Sequence, residues 1–374
     1  MQLASTVRES SALINGRKVS IEEAIQKANQ LLQDSKLRSI TGHIRSVEGA
    51  RAVLSLASRV GAYLDPSGSN DAFKSILAIQ RSGMTTASIS EVRFRSDCVV
   101  LIGDDRMLGS FPRLANILLQ RNGNRLSSSP ARVVALGKWS SECLSQLRMF
   151  AKDVCSIDVD IASIPQALIQ WSRCNHETQL GSPNFASNWM SQAQYLTLVW
   201  SPSILDMPHA DLWIERLWEW IQQRNASRRC VGFPLVSDYV TFQQVCTWIT
   251  GFPGRVFIDG KDFRYEPHIS SLSGEEIHND SSTIIHVNES CNQSRRVASR
   301  TSPTIIVGPC LDPSVPAPKV FIPCAIPGLD HIATFFRVDA TVAVEAFDRT
   351  KDWKGDQLLS VEEILGRIGG SPAC

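Results

Sequence analysis

The chain has 374 residues, of which 43% are hydrophobic and 20% charged, and its formal net charge is +1. This length accommodates two domains with sizeable cores, and the composition is typical of a globular protein. A charge so close to zero gives no electrostatic basis for binding nucleic acid or an anionic membrane. No apolar run approaches the ~20 residues of a membrane helix, and the first twelve residues lack an apolar signal segment. We therefore expect a cytoplasmic protein that binds neither nucleic acid nor membrane.

Ten cysteines are spread along the chain, and none of them forms a C-x-x-C pair. A zinc ribbon or an iron–sulfur motif therefore has no local support. Cys98, Cys155 and Cys230 lie inside apolar runs, where cysteine usually acts as a small buried hydrophobe. We expect structural or incidental roles for the cysteines.

Strands and helices alternate through the first half of the chain. Ser20-Ile21-Glu22-Glu23 is a capping box that opens the first helix. Alternation at the observed pace indicates βαβ units and a mostly parallel sheet. The pattern predicts strands near 38–41, 98–102, 132–136 and 156–159, and helices from 21, over 50–60, from near 71, and over 112–119, 142–152 and 165–171.

The second half continues as an α/β chain with two irregular stretches. Residues 175–194 are rich in Ser, Asn and Gln, which predicts a loop. The helix predicted over 211–224 carries Trp213 and Trp220 on one face, as expected for core or subunit-contact residues. Further predictions are strands at 195–200, 229–233, 255–258, 283–287, 304–307 and 320–322, helices at 240–249 and 360–369, and irregular chain at 259–282 and 309–318.

The turn that leads into the helix near Asp71 is the first candidate site. Open α/β folds place their ligands where a strand ends and a helix begins. Here the turn offers Ser67, Ser69, Asn70 and Asp71, but no cysteine, histidine or lysine. The position favours a site, whereas the residue types indicate that it lacks catalytic groups.

Asp104 and Asp105, directly after the strand at 98–102, form the second candidate. An acidic pair there could bind a cation or capture a hydroxyl, but a solvated turn is the interpretation we favour. Fingerprints of phosphate binding, of zinc peptidases and of serine hydrolases do not occur in the chain. A weaker metal hypothesis combines His278 and His286 with Glu275 and Glu276, although their spacing fits no ligand rule.

Several segments resemble the catalytic B subunit of formylmethanofuran dehydrogenase, a member of the molybdopterin oxidoreductase superfamily. Together they cover about residues 13–368, with weaker matching between 120 and 230. The most specific run is V-C-T-W-I-T-G-F-P at 245–253, followed by R-Y-E-P at 264–267. The others are LINGRKVSIEEAIQKANQLLQDSK at 13–36, ASISEVRFRSDCVVLIGDD at 87–105 and VFIPCAIPGLDHIATFFRVD at 320–339.

The resemblance implies an α/β fold of two doubly wound, mostly parallel-sheet units, one inserted into the other. Residues 13–66 and 228–374 would form the outer domain, and 67–227 the inserted Rossmann-like domain. The fold would be like that of molybdopterin oxidoreductases but without the iron–sulfur domain.

Departures from the family pattern carry the functional expectation. Active members bind an iron–sulfur cluster through a cysteine-rich first segment, after which this chain starts, and they ligate tungsten or molybdenum through a cysteine. That cysteine position falls at about Asp71, where a carboxylate is a hard donor that does not simply replace a soft thiolate. Asp105 and Phe111 stand in place of a family Asn and His, and Ala333-Thr334 in place of Gly-Thr. We expect no catalytic or metal-ligating residue, no tungsten or molybdenum pterin and no cluster. A vestigial pterin crevice would lie near Ser69, Asn70, Asp71, Asp104 and Asp105.

This pattern resembles the B subunit of the bacterial formyltransferase/hydrolase complex of methylotrophs and planctomycetes. The resemblance implies A, C and D subunits as partners, an amidohydrolase-type A subunit that releases formate, and formyl transfer by D with C. The expected role is a non-catalytic structural B subunit in formaldehyde oxidation to formate, linked to tetrahydromethanopterin and methanofuran. One alternative is the divergent catalytic B subunit of a tungsten or molybdenum formylmethanofuran dehydrogenase, an oxidoreductase. The other is a stand-alone small-molecule-binding protein.

Overall fold

A computed structural model of the chain describes residues 8, 10–119, 131–171, 183–235, 239–267, 282–290, 304–311, 317–347 and 358–370. The chain divides into two compact units. One unit, called the outer unit below, comprises residues 1–70 and 237–374, and the other, called the inner unit, comprises 71–236. No helix in the described ranges is both long and apolar enough to cross a membrane.

The outer unit begins with a hairpin and two amphipathic helices. Ser20 caps the first helix as predicted, since its side chain accepts from the Glu23 amide while the Glu23 carboxylate accepts from the Ser20 amide. The elements are β1 (Ala12–Ile14), β2 (Arg17–Val19), α1 (Ile21–Asp34), β3 (Leu37–His43), α2 (Val47–Val60) and β4 (Ala62–Leu64).

The inner unit is built on a five-stranded parallel sheet whose central strands are buried on both faces. Its helices are α3 (Ser69–Ser82), which begins at the unit boundary, α4 (Ile89–Arg95), α5 (Asp105–Ser110), α6 (Leu114–Leu119), α7 (Ser141–Arg148), α8 (Ile164–Trp171), α9 (Pro183–Gln192) and α10 (Ala210–Arg224). Its strands are β5 (Cys98–Ile102), β6 (Arg132–Leu136), β7 (Asp153–Ile157), β8 (Tyr195–Trp200) and β9 (Arg229–Pro234), in the order β7-β6-β5-β8-β9.

The outer unit is completed by the last part of the chain. A nine-stranded sheet has the order β11-β10-β4-β3-β12-β13-β14-β1-β2, with parallel pairing from β4 through β14. A separate two-stranded sheet pairs β15 with β16. The remaining elements are α11 (Val240–Thr250), β10 (Val256–Asp259), β11 (Asp262–Tyr265), β12 (Ser282–Asn288), β13 (Ile305–Gly308), β14 (Val320–Pro323), β15 (Ala333–Phe336), β16 (Ala343–Ala346) and α12 (Val361–Arg367).

Both sheets are doubly wound, which confirms the predicted fold class. In each, the chain moves outward from one central strand and later returns to that strand's other side. The resulting switch points lie between β3 and β12 in the outer unit and between β5 and β8 in the inner unit. Crevices at such points, beyond the carboxyl ends of the strands, are the usual ligand sites of open α/β sheets.

Two sequence interpretations were wrong. The predicted loop over 175–194 contains α9, which buries Ala186, Trp189 and Met190 at helical spacing despite its polar composition. Residues 259–282 were predicted to be irregular, yet β11 forms a hairpin with β10 around Gly260, whose φ is +58°. The expectation that the α10 tryptophans belong to the core is confirmed, since Trp213 and Trp220 are buried.

The predicted domain limits of 13–66 with 228–374, and of 67–227, stay a prediction. They placed β9 in the outer domain, whereas all six β9 residues pair with β8 in the five-stranded sheet. The predicted proline-rich segment over 309–318 lies partly outside the described residues.

Candidate functional site

Ser69 and Asn70, on the first turn of α3, are both held by a buried ion pair. The Ser69 hydroxyl donates to the Asp65 carboxylate directly after β4, and the Arg255 guanidinium donates to the Asn70 side-chain oxygen. Arg255 Nε lies 3.4 Å from Asp65 Oδ1, and both side chains are less than a tenth exposed. Burial raises the pKa of Asp65, an effect opposed by the Arg255 charge and the Ser69 hydrogen bond. These polar groups therefore stabilise the turn itself.

Asp71, the predicted position of the lost metal ligand, forms an ion pair within its own helix. Lys74 Nζ lies 3.0 Å from Asp71 Oδ1. The same ammonium donates to the carbonyl oxygens of Pro202 and Leu205, at 3.3 and 3.0 Å, in the segment that follows β8. A fixed cation therefore stands beside the carboxylate.

Asp104 and Asp105 are also engaged by protein groups. Asp104 caps α5 by accepting from the Arg106 amide at 2.9 Å, and it forms an ion pair with the Arg106 guanidinium at 2.7 Å. Asp105 Oδ1 accepts from the Ser140 amide at 2.9 Å, and this hydrogen bond lowers the pKa of Asp105. The two side chains therefore serve helix capping and loop attachment.

An aliphatic side chain, that of Ile204, lies against the end of β5 at the switch point of the inner unit. Gly103 follows β5, and a Cβ atom built on it would lie 2.8 Å from Ile204 Cδ1. Ile204, which follows β8, is buried. A Cβ atom on Gly137, after β6, would come 2.0 Å from the Gly103 carbonyl oxygen. The strand ends are thus packed against one another, and the position beside Gly103 is occupied from within.

The switch point of the outer unit is filled by a carboxylate. Glu289 follows β12, is fully buried, and donates its amide to the His43 carbonyl oxygen at 3.0 Å. Its Oε2 accepts from the amides of Arg45 and Ser46 at 2.6 and 2.7 Å, and its Oε1 accepts from the Ser46 hydroxyl at 2.6 Å. Burial raises the pKa of Glu289, and the Ser46 and Arg45 hydrogen bonds oppose this effect.

A buried histidine lies near the same switch point. His286 on β12 is opposite Thr41 in the register, and His43 is opposite Asn288, so both imidazoles lie on one face of the sheet. His286 Nδ1 is buried without a hydrogen-bond partner among the described residues. Burial, with a smaller contribution from His43, lowers the pKa of His286 to about 4. The metal hypothesis for His286 has no test here, because His278, Glu275 and Glu276 lie outside the described residues.

Among the described residues, the side chains around Asp71 do not offer the thiolate donor expected for a tungsten or molybdenum pterin. Within the described ranges, no group of three or more His, Cys, Asp or Glu side chains is placed to hold a metal ion. Around Asp71 the donors are hard oxygens and the neighbouring charge is the Lys74 cation, whereas such a metal takes soft thiolate ligands. Burial raises the pKa of Cys98, Cys230 and Cys246, which keeps these thiols protonated.

Sequence reasoning missed Glu289, Arg255 and Ile204. Glu289 carried a usable signal, because it lies two residues beyond a predicted buried strand, as Asp104 does. Arg255 and Ile204 carried none, since their roles depend on contacts with Asp65 and Gly103 that are distant in the chain.

Comparison with known proteins identifies relatives of this chain. Two are B subunits of tungsten-containing formylmethanofuran dehydrogenase 2, from Methanococcus maripaludis and Methanocaldococcus jannaschii. Each is 22% identical, and the alignments cover 93% and 86% of this chain and 83% and 77% of those subunits. The predicted resemblance to the B subunit of formylmethanofuran dehydrogenase is confirmed. A scan against models of known protein families finds no match.

A third relative and a solved structure point to the formyltransferase/hydrolase complex. The B subunit of that complex, Fhc, from Methylorubrum extorquens is 22% identical over 66% of each chain. A chain in the crystal structure of the FhcABCD complex from the same organism, solved with methylofuran, superposes with a TM-score of 0.78. That match covers 96% of this chain and 98% of the other at 17% identity. This chain therefore has the fold of that protein.

Proposed function

We propose that this chain is a non-catalytic, structural B subunit of a formyltransferase/hydrolase complex. In this role it serves formaldehyde oxidation to formate, linked to tetrahydromethanopterin and methanofuran. One observation carries the proposal. The chain is similar to these B subunits over nearly its whole length, but the position predicted for the metal-binding cysteine holds a carboxylate, Asp71, which forms an ion pair with Lys74.

Electrostatics at Asp71 support a non-catalytic role. A metal ion bound there would have to displace an ammonium group 3.0 Å from the carboxylate. Lys74 is held in place by two carbonyl oxygens, so moving it would leave those acceptors without their donor. Like charges at such a distance repel, and the remaining donors are oxygens rather than thiolates.

The internal filling of both switch points supports the same conclusion. Ile204 and Glu289 occupy the positions where open α/β sheets usually bind cofactors. A chain whose switch points are occupied by its own side chains can still present surfaces to other subunits. The proposed partners are A, C and D subunits, by analogy with the FhcABCD complex. We propose the cytoplasm as its location, which suits the free thiols of Cys98, Cys143, Cys230 and Cys246.

Affinity purification from the native host tests the proposal. The tagged chain should retain A-, C- and D-like subunits in constant ratio, without stoichiometric tungsten, molybdenum or iron assigned to it. Stoichiometric metal or pterin in this chain would refute the non-catalytic role. A monodisperse monomer without partners would instead favour the stand-alone binder, and thermal-shift screening against pterins and nucleotides would then test for its ligand.

A divergent dehydrogenase is the second candidate, because the relatives covering most of this chain are named tungsten-containing enzymes. Asp71→Ala separates the two functions. A structural subunit should keep complex assembly and formyl transfer in this variant, whereas a dehydrogenase using Asp71 would lose dye-coupled formylmethanofuran oxidation. Lys74→Met is the matched control, since it removes the same ion pair and leaves the carboxylate.

A further inference from the structure

The first turn of α2 and the end of β12 together form an enclosed anion position. Ser46 is the N-cap of α2, and its hydroxyl oxygen accepts from the Gly49 amide at 2.9 Å. The amides of Arg45 and Ser46 and the Ser46 hydroxyl all point their hydrogens toward the Glu289 carboxylate. Three donors converging on two oxygens are the set that an ionised carboxylate or a phosphate takes.

Close packing restricts this position to one anion. A Cβ atom on Gly49 would lie 2.0 Å from Glu289 Oε1, so the carboxylate lies directly against the helix backbone. The fourteen-residue α2 adds the positive end of its dipole at the same place. A second oxyanion cannot enter while Glu289 is there, because every donor it would need is taken.

We propose that Glu289 is a resident anion that occupies the phosphate-binding position of the outer unit's switch point. The chain thereby excludes phosphate-bearing ligands from this crevice. This inference deepens the proposed function by naming the ligand class that is shut out. Its test does not involve complex assembly, so the two proposals can fail separately.

Truncation of the carboxylate should open a site for small oxyanions. We would measure thermal unfolding of the full chain and of Glu289→Ala in sodium formate, acetate or phosphate, each against chloride at equal ionic strength. The variant should melt about 5 °C or more below the native chain. Formate should restore about 3 °C of this loss with saturation, as expected for binding to the folded state alone.

Glu23→Ala is the matched control, since Glu23 also accepts at the N-terminus of a fourteen-residue helix but lies fully exposed. Neither this variant nor the native chain should gain more from formate than from chloride. The proposal would be overturned if formate and chloride changed the melting temperature of Glu289→Ala equally. It would also be overturned if formate raised the melting temperatures of all three chains alike, because that would be an adventitious salt effect.

A second variant covers the case in which Glu289→Ala does not fold. Glu289→Gln keeps the shape and removes the charge. Because hydrogen bonds to a charged acceptor are about twice as strong as neutral ones, hydrogen-exchange protection at the amides of Arg45 and Ser46 should fall about tenfold. Unchanged protection at both amides would show that the charge of Glu289 does not hold this turn.

Discussion

His286 should make the folded state sensitive to acid. Its pKa lies at about 4 in the folded chain and near 6.5 when unfolded. Between these values the unfolded state binds a proton that the folded state does not, so the free energy of unfolding falls as the pH is lowered through this window. At about 1.4 kcal/mol per pKa unit, the loss between pH 7 and pH 4 is about 3 kcal/mol.

Two buried carboxylates act in the opposite direction. Burial raises the pKa of Asp65 and of Glu289 above their ordinary values of 3.8 and 4.5. The folded state therefore binds these protons more readily than the unfolded state, and through these two groups the free energy of unfolding rises as the pH falls. In the native chain, the pH dependence of the free energy of unfolding therefore combines opposing contributions, and a variant is needed to isolate the contribution of His286.

Urea unfolding of His286→Gln at pH 7 and pH 4 provides that measurement. The variant lacks the histidine contribution. Acidification from pH 7 to pH 4 should therefore lower its free energy of unfolding by about 3 kcal/mol less than it lowers that of the native chain. Ile306→Val, on the neighbouring strand opposite His286, is the control: it loosens the same packing but removes no titrating group. An equal pH dependence in His286→Gln and the native chain would refute the reasoning.

Three further predictions concern the outer unit and the α3 turn. Arg255→Met should lower the free energy of unfolding by about 3 kcal/mol and raise the pKa of Asp65 further, measured by urea unfolding across pH, because it leaves a buried carboxylate without its cation. Gly254→Ala should be strongly destabilising, because the φ of Gly254 is +126° and the new Cβ would lie 1.8 Å from the Tyr239 hydroxyl. Calorimetry should show that adding Tyr239→Phe restores part of the lost stability. Asp71→Ala should cost at most about 1 kcal/mol in urea unfolding, because its ion pair is partly exposed.

Each of these has a discriminating outcome. Arg216→Ala removes an exposed ion pair with Glu219 and should change stability by less than about 1 kcal/mol, so an equal loss in Arg255→Met would contradict the role of burial. Additive effects of Gly254→Ala and Tyr239→Phe would argue against the steric contact. A loss of several kcal/mol in Asp71→Ala would mean that this carboxylate holds the fold.

The fold was predictable from local patterns, because buried parallel strands are continuous apolar runs. Cys98–Ile102 and Arg132–Leu136 show this pattern, and each strand lies where its run predicts. The α9 helix escaped the same reasoning because its polar residues outnumber the buried stripe of Ala186, Trp189 and Met190. Hairpin β1–β2 was missed although Asn15-Gly16 is a strong two-residue turn signal.

At the candidate site, sequence alone determined the chemistry that is available at the start of α3. Ser69, Asn70 and Asp71 contain no thiolate, and no fold can supply one at those positions. Only the tertiary structure decided what holds these side chains, because the contacts of Arg255 with Asn70 and of Lys74 with the Pro202 and Leu205 carbonyl oxygens join residues that are distant in the chain.

The filling of the switch points likewise depended on tertiary structure. Glu289 lies more than 240 positions from the Ser46 amide that it accepts from. Strand order, set by the burial of apolar faces, brings the ends of β12 and β3 together. A carboxylate whose only sequence signal is its place after a predicted strand thereby becomes the buried anion at the N-terminus of α2.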